Sequence, residues 1–236
     1  MFKRNLPNML TLANLSCGIL AIIALFEGRM ELIWWLFGAS LIFDLLDGLV
    51  ARALGVHSEL GLQLDSLADM VSFGLAPGIA LFMTFQKAGN GAEPLPEFLP
   101  YIAILVTLFS ALRLAKFNID DRQADYFIGL PTPANAVLIY GLCIWAFSTE
   151  NATTEAILLH PFFLTALTVV SSLLLVAELP LMSFKVKAFT WKGNRSRILF
   201  AVLIIALFTI FRFRALAFII PLYLLISLLF KPNKGA

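Results

Sequence analysis

Eight stretches of this chain, near residues 9–26, 30–50, 65–86, 98–117, 132–148, 161–179, 197–211 and 214–230, are apolar over lengths close to the ~20 residues that a helix needs to cross a bilayer core of about 30 Å. That pattern limits the fold more than any motif. A chain with so much apolar surface cannot hide it in a water-soluble core. The 236 residues are 60% hydrophobic and 14% charged, against roughly 45–50% and about 25% for soluble domains. The mean hydropathy is +0.90. The expected fold is an all-α integral membrane domain, because only helices and closed barrels satisfy every backbone group in lipid. Cys17 and Cys143 lie in apolar segments far apart in sequence and read as packed side chains, not as a disulfide or a zinc site. The segment after Lys3 and Arg4 lacks a clear small-x-small cleavage site, and Thr11 and Asn14 interrupt it, so it reads as a retained first helix.

Orientation follows from where the basic residues fall. With eight spans, only Arg29, Lys87, Arg212 and Arg214 of the 17 Lys and Arg lie on the side opposite the termini. Both termini are therefore expected in the cytoplasm, with the protein in the cell (inner) membrane. The short join Phe211-Arg212-Phe213-Arg214 leaves open a re-entrant hairpin for the last pair. Residues 87–100, rich in Gly and Pro, read as an outside loop. Residues 118–131 read as an inside loop carrying Asp120, Asp121, Arg122 and Asp125 and ending in the rigid turn Gly129-Leu130-Pro131-Thr132-Pro133. The basic residues 183–197 also read as inside, where they attract anionic headgroups.

Four of the chain's seven aspartates, Asp44, Asp47, Asp65 and Asp69, stand in two of these apolar segments. An Asp near a helix centre costs about 2.5–3.5 kcal/mol to insert, less near the interface, so four unpaired carboxylates would cost about 10 kcal/mol. Arg52 is the only basic residue between positions 30 and 86, and one guanidinium cannot neutralise four carboxylates. Divalent cations can. The 3- and 4-residue spacings put Asp44 with Asp47, and Asp65 with Asp69, on single helix faces. Gly48 and Ala51 continue the first stripe, while Gly61 and Ala68 continue the second. Small residues there let helices approach and leave room for a ligand between them. All-carboxylate ligation suits hard ions such as Mg²⁺ or Mn²⁺. Two such ions suit displacement at phosphorus, because they neutralise charge on attacking and leaving oxygens. The competing structural reading is that these aspartates cap helix ends or pair with Arg at the interface.

Written out, the run is Asp44-x2-Asp47-Gly48-x2-Ala51-Arg52-x8-Gly61-x3-Asp65-x3-Asp69, and it resembles the signature of the CDP-alcohol phosphatidyltransferase family at every fixed position. Eight fixed positions recur by chance on the order of 10⁻¹⁰ per start site at one in twenty per position. The resemblance implies a six-helix membrane core, usually dimeric, with its site open to the cytoplasm. Residues 1–180 would form that core, and 181–236 would add a basic cytoplasmic loop and two further helices. It also implies metal ligation by Asp44, Asp47, Asp65 and Asp69, with Asp69 accepting the proton of the attacking alcohol. Thr11, Asn14, Gly48, Arg52 and Ser58 fall where relatives meet the CDP moiety. For Ser58 a helix cap, and for Thr11 and Asn14 interhelical hydrogen bonds, remain equally open readings. The implied partners are CDP-diacylglycerol, a small alcohol, membrane lipid and a second copy of the chain, with no nucleic acid.

For the alcohol, the signature is silent. Arg113-Leu114-Ala115-Lys116-Phe117-Asn118, followed by Phe127-Ile128-Gly129-Leu130-Pro131-Thr132-Pro133-Ala134, resembles the phosphatidylserine synthase branch of the family. L-Serine makes chemical sense there. Its carboxylate can pair with Arg113 or Lys116, and its ammonium with a carbonyl or Asn118. The plainer reading of Arg113 and Lys116 is positive-inside anchoring. Glycerol phosphate and an inositol phosphate are the rival acceptors. The phosphohistidine route to the same product needs paired His-x-Lys motifs, and neither His57 nor His160 has one. A divalent-metal transporter would spread its acids along a path through the bilayer. An intramembrane aspartyl protease commonly carries a Gly-x-Gly-Asp element, which is not found here.

Overall fold

The computed structural model of the chain describes residues 2–56, 58–90, 95–119, 127–181 and 191–229. Within these, helix follows helix: α1 (Phe2–Phe26), α2 (Met30–Leu54) and α3 (Glu59–Asp69), which runs through a π-helical stretch, Met70–Leu75, into α4 (Ala76–Gly89). Then come a 3₁₀ turn (Leu99–Ala103), α5 (Ile104–Ile119), α6 (Thr132–Ser148), α7 (Ala152–Leu158), α8 (Pro161–Val176), α9 (Trp191–Phe211), a second 3₁₀ turn (Arg212–Ala215) and α10 (Leu216–Leu229). The expected acidic inside loop at Asp120, Asp121, Arg122 and Asp125, and the basic charges at Lys185, Lys187, Lys231 and Lys234, lie outside the described residues.

Four helices are long and apolar enough to cross a bilayer: Asn5–Phe26, Met30–Leu54, Glu59–Gly89 and Leu99–Ile119. A fifth is added if α7 and α8, bent by 48° at their break, form one span. The chain is an integral membrane protein. Thr132–Ser148, Leu199–Phe211 and Leu216–Leu229 are apolar but shorter. At 1.5 Å per residue the 17 residues of α6 rise only about 25 Å. Length and composition thus support four or five of the eight expected spans. The third starts at Glu59, six residues earlier than the apolar run suggests, so Gly61 falls in its first turn and Asp65 lies inside it. The sixth stops at Val176, three residues short of its expected end.

Local chemistry sets the helix ends that matter for the site. Gly55 takes φ +63°, its N–H donates to the Arg52 carbonyl, and Val56 N–H reaches Ala51 O at 3.0 Å. This left-handed glycine stop closes α2 just after Arg52. Ser58 then caps α3, its Oγ accepting from Gly61 N–H at 3.0 Å. With α2 stopped at Gly55 and α3 started at Ser58, the Asp65 carboxylate comes close to that of Asp47. Between α2 and α3 sits α1, which packs along α2 and also against α3 and the π-helical stretch. The core below is apolar, with Phe37 of α2 edge-on to Phe73 at 6.2 Å and 4.7 Å from the Tyr140 ring of α6.

The Gly129–Pro133 turn docks on the end of α8. Phe127–Ile128 pairs antiparallel with Pro180–Leu181, and Leu130 N–H donates to Leu174 O at 2.9 Å. Gly129 has φ +77°, and a Cβ there would lie 2.9 Å from the carbonyl oxygens of Ala177 and Leu175. Only glycine fits this approach.

Candidate active site

The four aspartates form one cluster. Single carboxylate oxygens of Asp44, Asp47 and Asp65 all lie within 4.8 Å of one another. Asp69 completes the set, one turn beyond Asp65 on α3 and close enough for the charges of Asp44, Asp65 and Asp47 to act on it. Because α2 runs towards the turn at Gly55 and α3 away from it, the carboxylates lie in two layers. Asp47 and Asp65 are nearer the turn, while Asp44 and Asp69 are one helical turn deeper. Asp47 and Asp69 are 6% and 9% exposed. No described residue forms a salt bridge with any of the four; the ion pairs seen are Arg29–Glu27 and Lys87–Glu155.

A cleft of about 520 Å³ opens at this end, walled by Asp47, Gly48 and Arg52 of α2, Ser58 and Asp65 at and within α3, and Thr11 of α1. Arg52 is exposed at the mouth, and a Cβ on Gly48 would sit 3.4 Å from its guanidinium. The glycine thus leaves space for Arg52 to lie over its own helix. Ser58 lines the cleft while capping α3, so both readings of that residue describe it. Thr11 hydroxyl donates to Asp47 Oδ2 at 2.6 Å, with Pro7 O a second acceptor at 3.1 Å. Asn14, by contrast, is fully buried behind the cleft and does not line it. Its Nδ2 donates to Asp69 Oδ1 at 3.1 Å, which is the interhelical reading of that residue.

The donor set fits divalent cations. Three oxygens converge, Asp65 Oδ1 is buried with no hydrogen-bond partner, and among the described residues no ammonium or guanidinium forms an ion pair with the cluster. Hard oxygen donors of this kind suit Mg²⁺ or Mn²⁺. The carboxylates gather at one end of α2 and α3, not along a path across the bilayer as a permeation route requires.

The residues named for an acceptor are divided. Arg113 of α5 is 5% exposed, its Nε without a hydrogen-bond partner, and its guanidinium lies 5.1 Å from the Phe117 ring centre. Asn118 donates to Ser66 Oγ at 2.8 Å, which ties the end of α5 to the residue beside Asp65. Lys116 is exposed on the last turn. Sequence reading missed Ser40 and Ser72, both buried and both bonded to Asn14. Helical spacing holds the signal: Ser40 is four residues before Asp44, and Ser72 three after Asp69, each continuing an aspartate stripe.

A family model for CDP-alcohol phosphatidyltransferases matches residues 4–176, which include every residue of this cleft. The chain belongs to the CDP-alcohol phosphatidyltransferase family. Among its relatives, the CDP-diacylglycerol--serine O-phosphatidyltransferase of Helicobacter pylori is 30% identical over 246 residues, covering 98% of this chain and 96% of the relative. The Methanocaldococcus jannaschii protein of the same name is 39% identical over 138 residues, or 58% of this chain and 60% of its own. The Bacillus subtilis one is 34% identical over 157 residues, covering 64% and 80%. As a CDP-alcohol phosphatidyltransferase, the chain carries its aspartate cluster within the matched region.

Proposed function

We propose that this protein transfers the phosphatidyl group of CDP-diacylglycerol to the hydroxyl of L-serine, giving phosphatidylserine and CMP. The observation that carries the reading is the convergence of Asp44, Asp47 and Asp65 beside Asp69, at the inner end of a cleft whose mouth carries Arg52. Relatives bearing the serine-transferring name along nearly the whole chain support serine as acceptor. So does a buried Arg113 whose Nε has no protein partner, since an unpaired buried guanidinium N–H is costly and a substrate carboxylate would satisfy it.

Each residue has a task. Asp44, Asp47, Asp65 and Asp69 would hold two divalent cations, Mg²⁺ or Mn²⁺. When bound, such ions neutralise charge on the pyrophosphate oxygens and on the departing CMP. Thr11 holds Asp47 in one orientation through its short hydrogen bond. Gly48 permits close approach of the nucleotide, Arg52 offers a fixed fork to phosphate oxygens, and Ser58 lies at the same mouth. The serine oxygen bonds to the phosphorus bearing diacylglycerol, the bond from that phosphorus to the CMP oxygen breaks, and Asp69 takes the hydroxyl proton. Proximity is what Asp69 contributes as base. Arg113 and Lys116 would meet the acceptor carboxylate, and Asn118 its ammonium.

In the proposed topology, residues 1–180 form a six-span catalytic core and 181–236 add a basic loop and two spans. Both termini and the cleft would face the cytoplasm from the cell membrane, and two copies of the chain would form a dimer. The test is CMP release from CDP-diacylglycerol by the purified protein, with and without L-serine, together with identification of the lipid formed. Serine-dependent CMP release and a phosphatidylserine product are expected. Release that follows glycerol phosphate or an inositol phosphate instead would reassign the acceptor. Near-normal turnover by Asp69→Asn with metal binding intact would remove Asp69 as base.

A further inference from the structure

We propose that Ser40 and Asn14 are positioning residues for Asp69, forming a hydrogen-bond chain from α2 through α1 that sets the orientation of the Asp69 carboxylate. The proposal rests on the reading of Asp69 as a metal ligand in the site above. Ser40 Oγ donates to Asn14 Oδ1, and Asn14 Nδ2 donates to Asp69 Oδ1 at 3.1 Å. Ser40 is 1% and Asn14 0% exposed, so neither bond competes with solvent.

Chemistry fixes the direction of this chain. An ionised carboxylate only accepts, so Asn14 must turn its NH₂ towards Asp69 and its carbonyl oxygen towards Ser40. Ser40 has a single proton, and giving it to Asn14 holds the amide in that orientation. Without it, a flipped Asn14 would set carbonyl oxygen against carboxylate oxygen. The hydroxyl habit elsewhere in the molecule makes the arrangement stand out. Ser16, Ser66, Thr84 and Thr168 all donate back to the carbonyl four residues earlier on their own helix. Ser40 instead reaches across to α1.

The backbone of Asn14 is held too. Ser72, in the π-helical stretch directly after Asp69, donates to Asn14 O at 3.0 Å. Gly18, one turn further along α1, allows this: a Cβ there would press on the Ser72 backbone, 2.8 Å from its Cα. The extra residue of a π turn is a common device at functional sites. It carries Ser72 to the Asn14 carbonyl while Asp69 meets the Asn14 side chain. Asn14 is thereby fixed at side chain and main chain, with Asp69 Oδ1 as its charged acceptor. The other Asp69 oxygen is left to the cluster.

The test is Mn²⁺ binding, followed by electron paramagnetic resonance of the free ion, on the full chain in detergent. Partners behind metal ligands contribute about 10–100-fold to affinity. Ser40→Ala and Asn14→Ala are expected to weaken Mn²⁺ binding about tenfold, and Ser40→Thr, which keeps the hydroxyl, to stay near wild type. In an Asp69→Ala background, Ser40→Ala should have no further effect on Mn²⁺ binding. Thermal unfolding of the metal-free proteins separates positioning from packing: Ser40→Ala should lose similar stability with or without Asp69, since buried Asn14 Oδ1 is left unpaired either way, whereas the loss of Mn²⁺ affinity should appear only with Asp69 present. Equal loss of Mn²⁺ affinity with and without Asp69, or no such loss in the wild-type background, overturns the proposal. Failure of the underlying site reading looks different: Mn²⁺ binding would then be indifferent to Asp44→Ala and Asp69→Ala alike, and the positioning role would fall with it.

Discussion

Two buried regions of this molecule, similar in helical content, treat polar groups in opposite ways. Around α1, α2 and α3, the buried Thr11, Asn14, Ser40, Asp47, Asp69 and Ser72 bond to one another between helices. Around α6, α9 and α10, the core is Leu130, Leu138, Phe200, Ile220, Tyr223 and Ile226, and the buried hydroxyls of Thr84 and Thr168, outside the cleft region, donate back to the carbonyl four residues earlier on their own helices. A polar group satisfied within its own helix needs no particular neighbour. One satisfied across helices depends on a single relative placement of all of them, and that dependence marks the region built for chemistry.

The sharpest way to break this contrast is to remove the charge-neutralising ions or a carboxylate. Chelation, or Asp69→Ala, should lower serine-dependent CMP release by about 10³-fold or more, and added Mg²⁺ should restore the chelated protein but not the variant. Retained turnover after thorough chelation would make the polar region an ordinary interhelical network. A smaller effect is expected at the mouth. Arg52→Ala should reduce kcat/KM for CDP-diacylglycerol about 10–100-fold, mainly through KM, with Arg52→Lys recovering part, because a point charge replaces a fork but not its geometry. An unchanged KM would detach Arg52 from the nucleotide.

The apolar region should respond in stability instead. A Cβ at Gly141 of α6 would lie 2.8 Å from the Ala217 backbone nitrogen, so Gly141→Val should destabilise the α6–α10 contact by about 1–3 kcal/mol. Turnover per folded molecule, measured after correcting for unfolded protein, should not change; a fall would show that the second region supports catalysis directly. The smallest effect belongs to Lys87. It pairs with Glu155 at 2.9 Å and donates to Ala146 O, at the end of α4 remote from the cleft. Both partners are partly exposed, so Glu155→Gln should shift stability by no more than about 1 kcal/mol, read from thermal unfolding at constant detergent.

Much of this was legible in the residues. Long apolar runs define a membrane protein whatever the helices do next, because backbone groups in lipid must bond within a helix. The four aspartates announce a site for the same reason: a carboxylate in such a run demands compensation, and Arg52 alone cannot supply it. Their 3- and 4-residue spacings already place them on two faces. Only the tertiary structure brought α1 between α2 and α3, took Asn14 out of the cleft wall and behind Asp69, and recruited Ser40 and Ser72. It also separated Arg113, buried, from Lys116, exposed, although they are neighbours in sequence. Periodicity tells which residues share a face of one helix. Which hydroxyl meets which amide across 26 or 58 residues of chain depends on helix phase and close approach, at Gly18 and in the π-helical stretch, and those are set by packing.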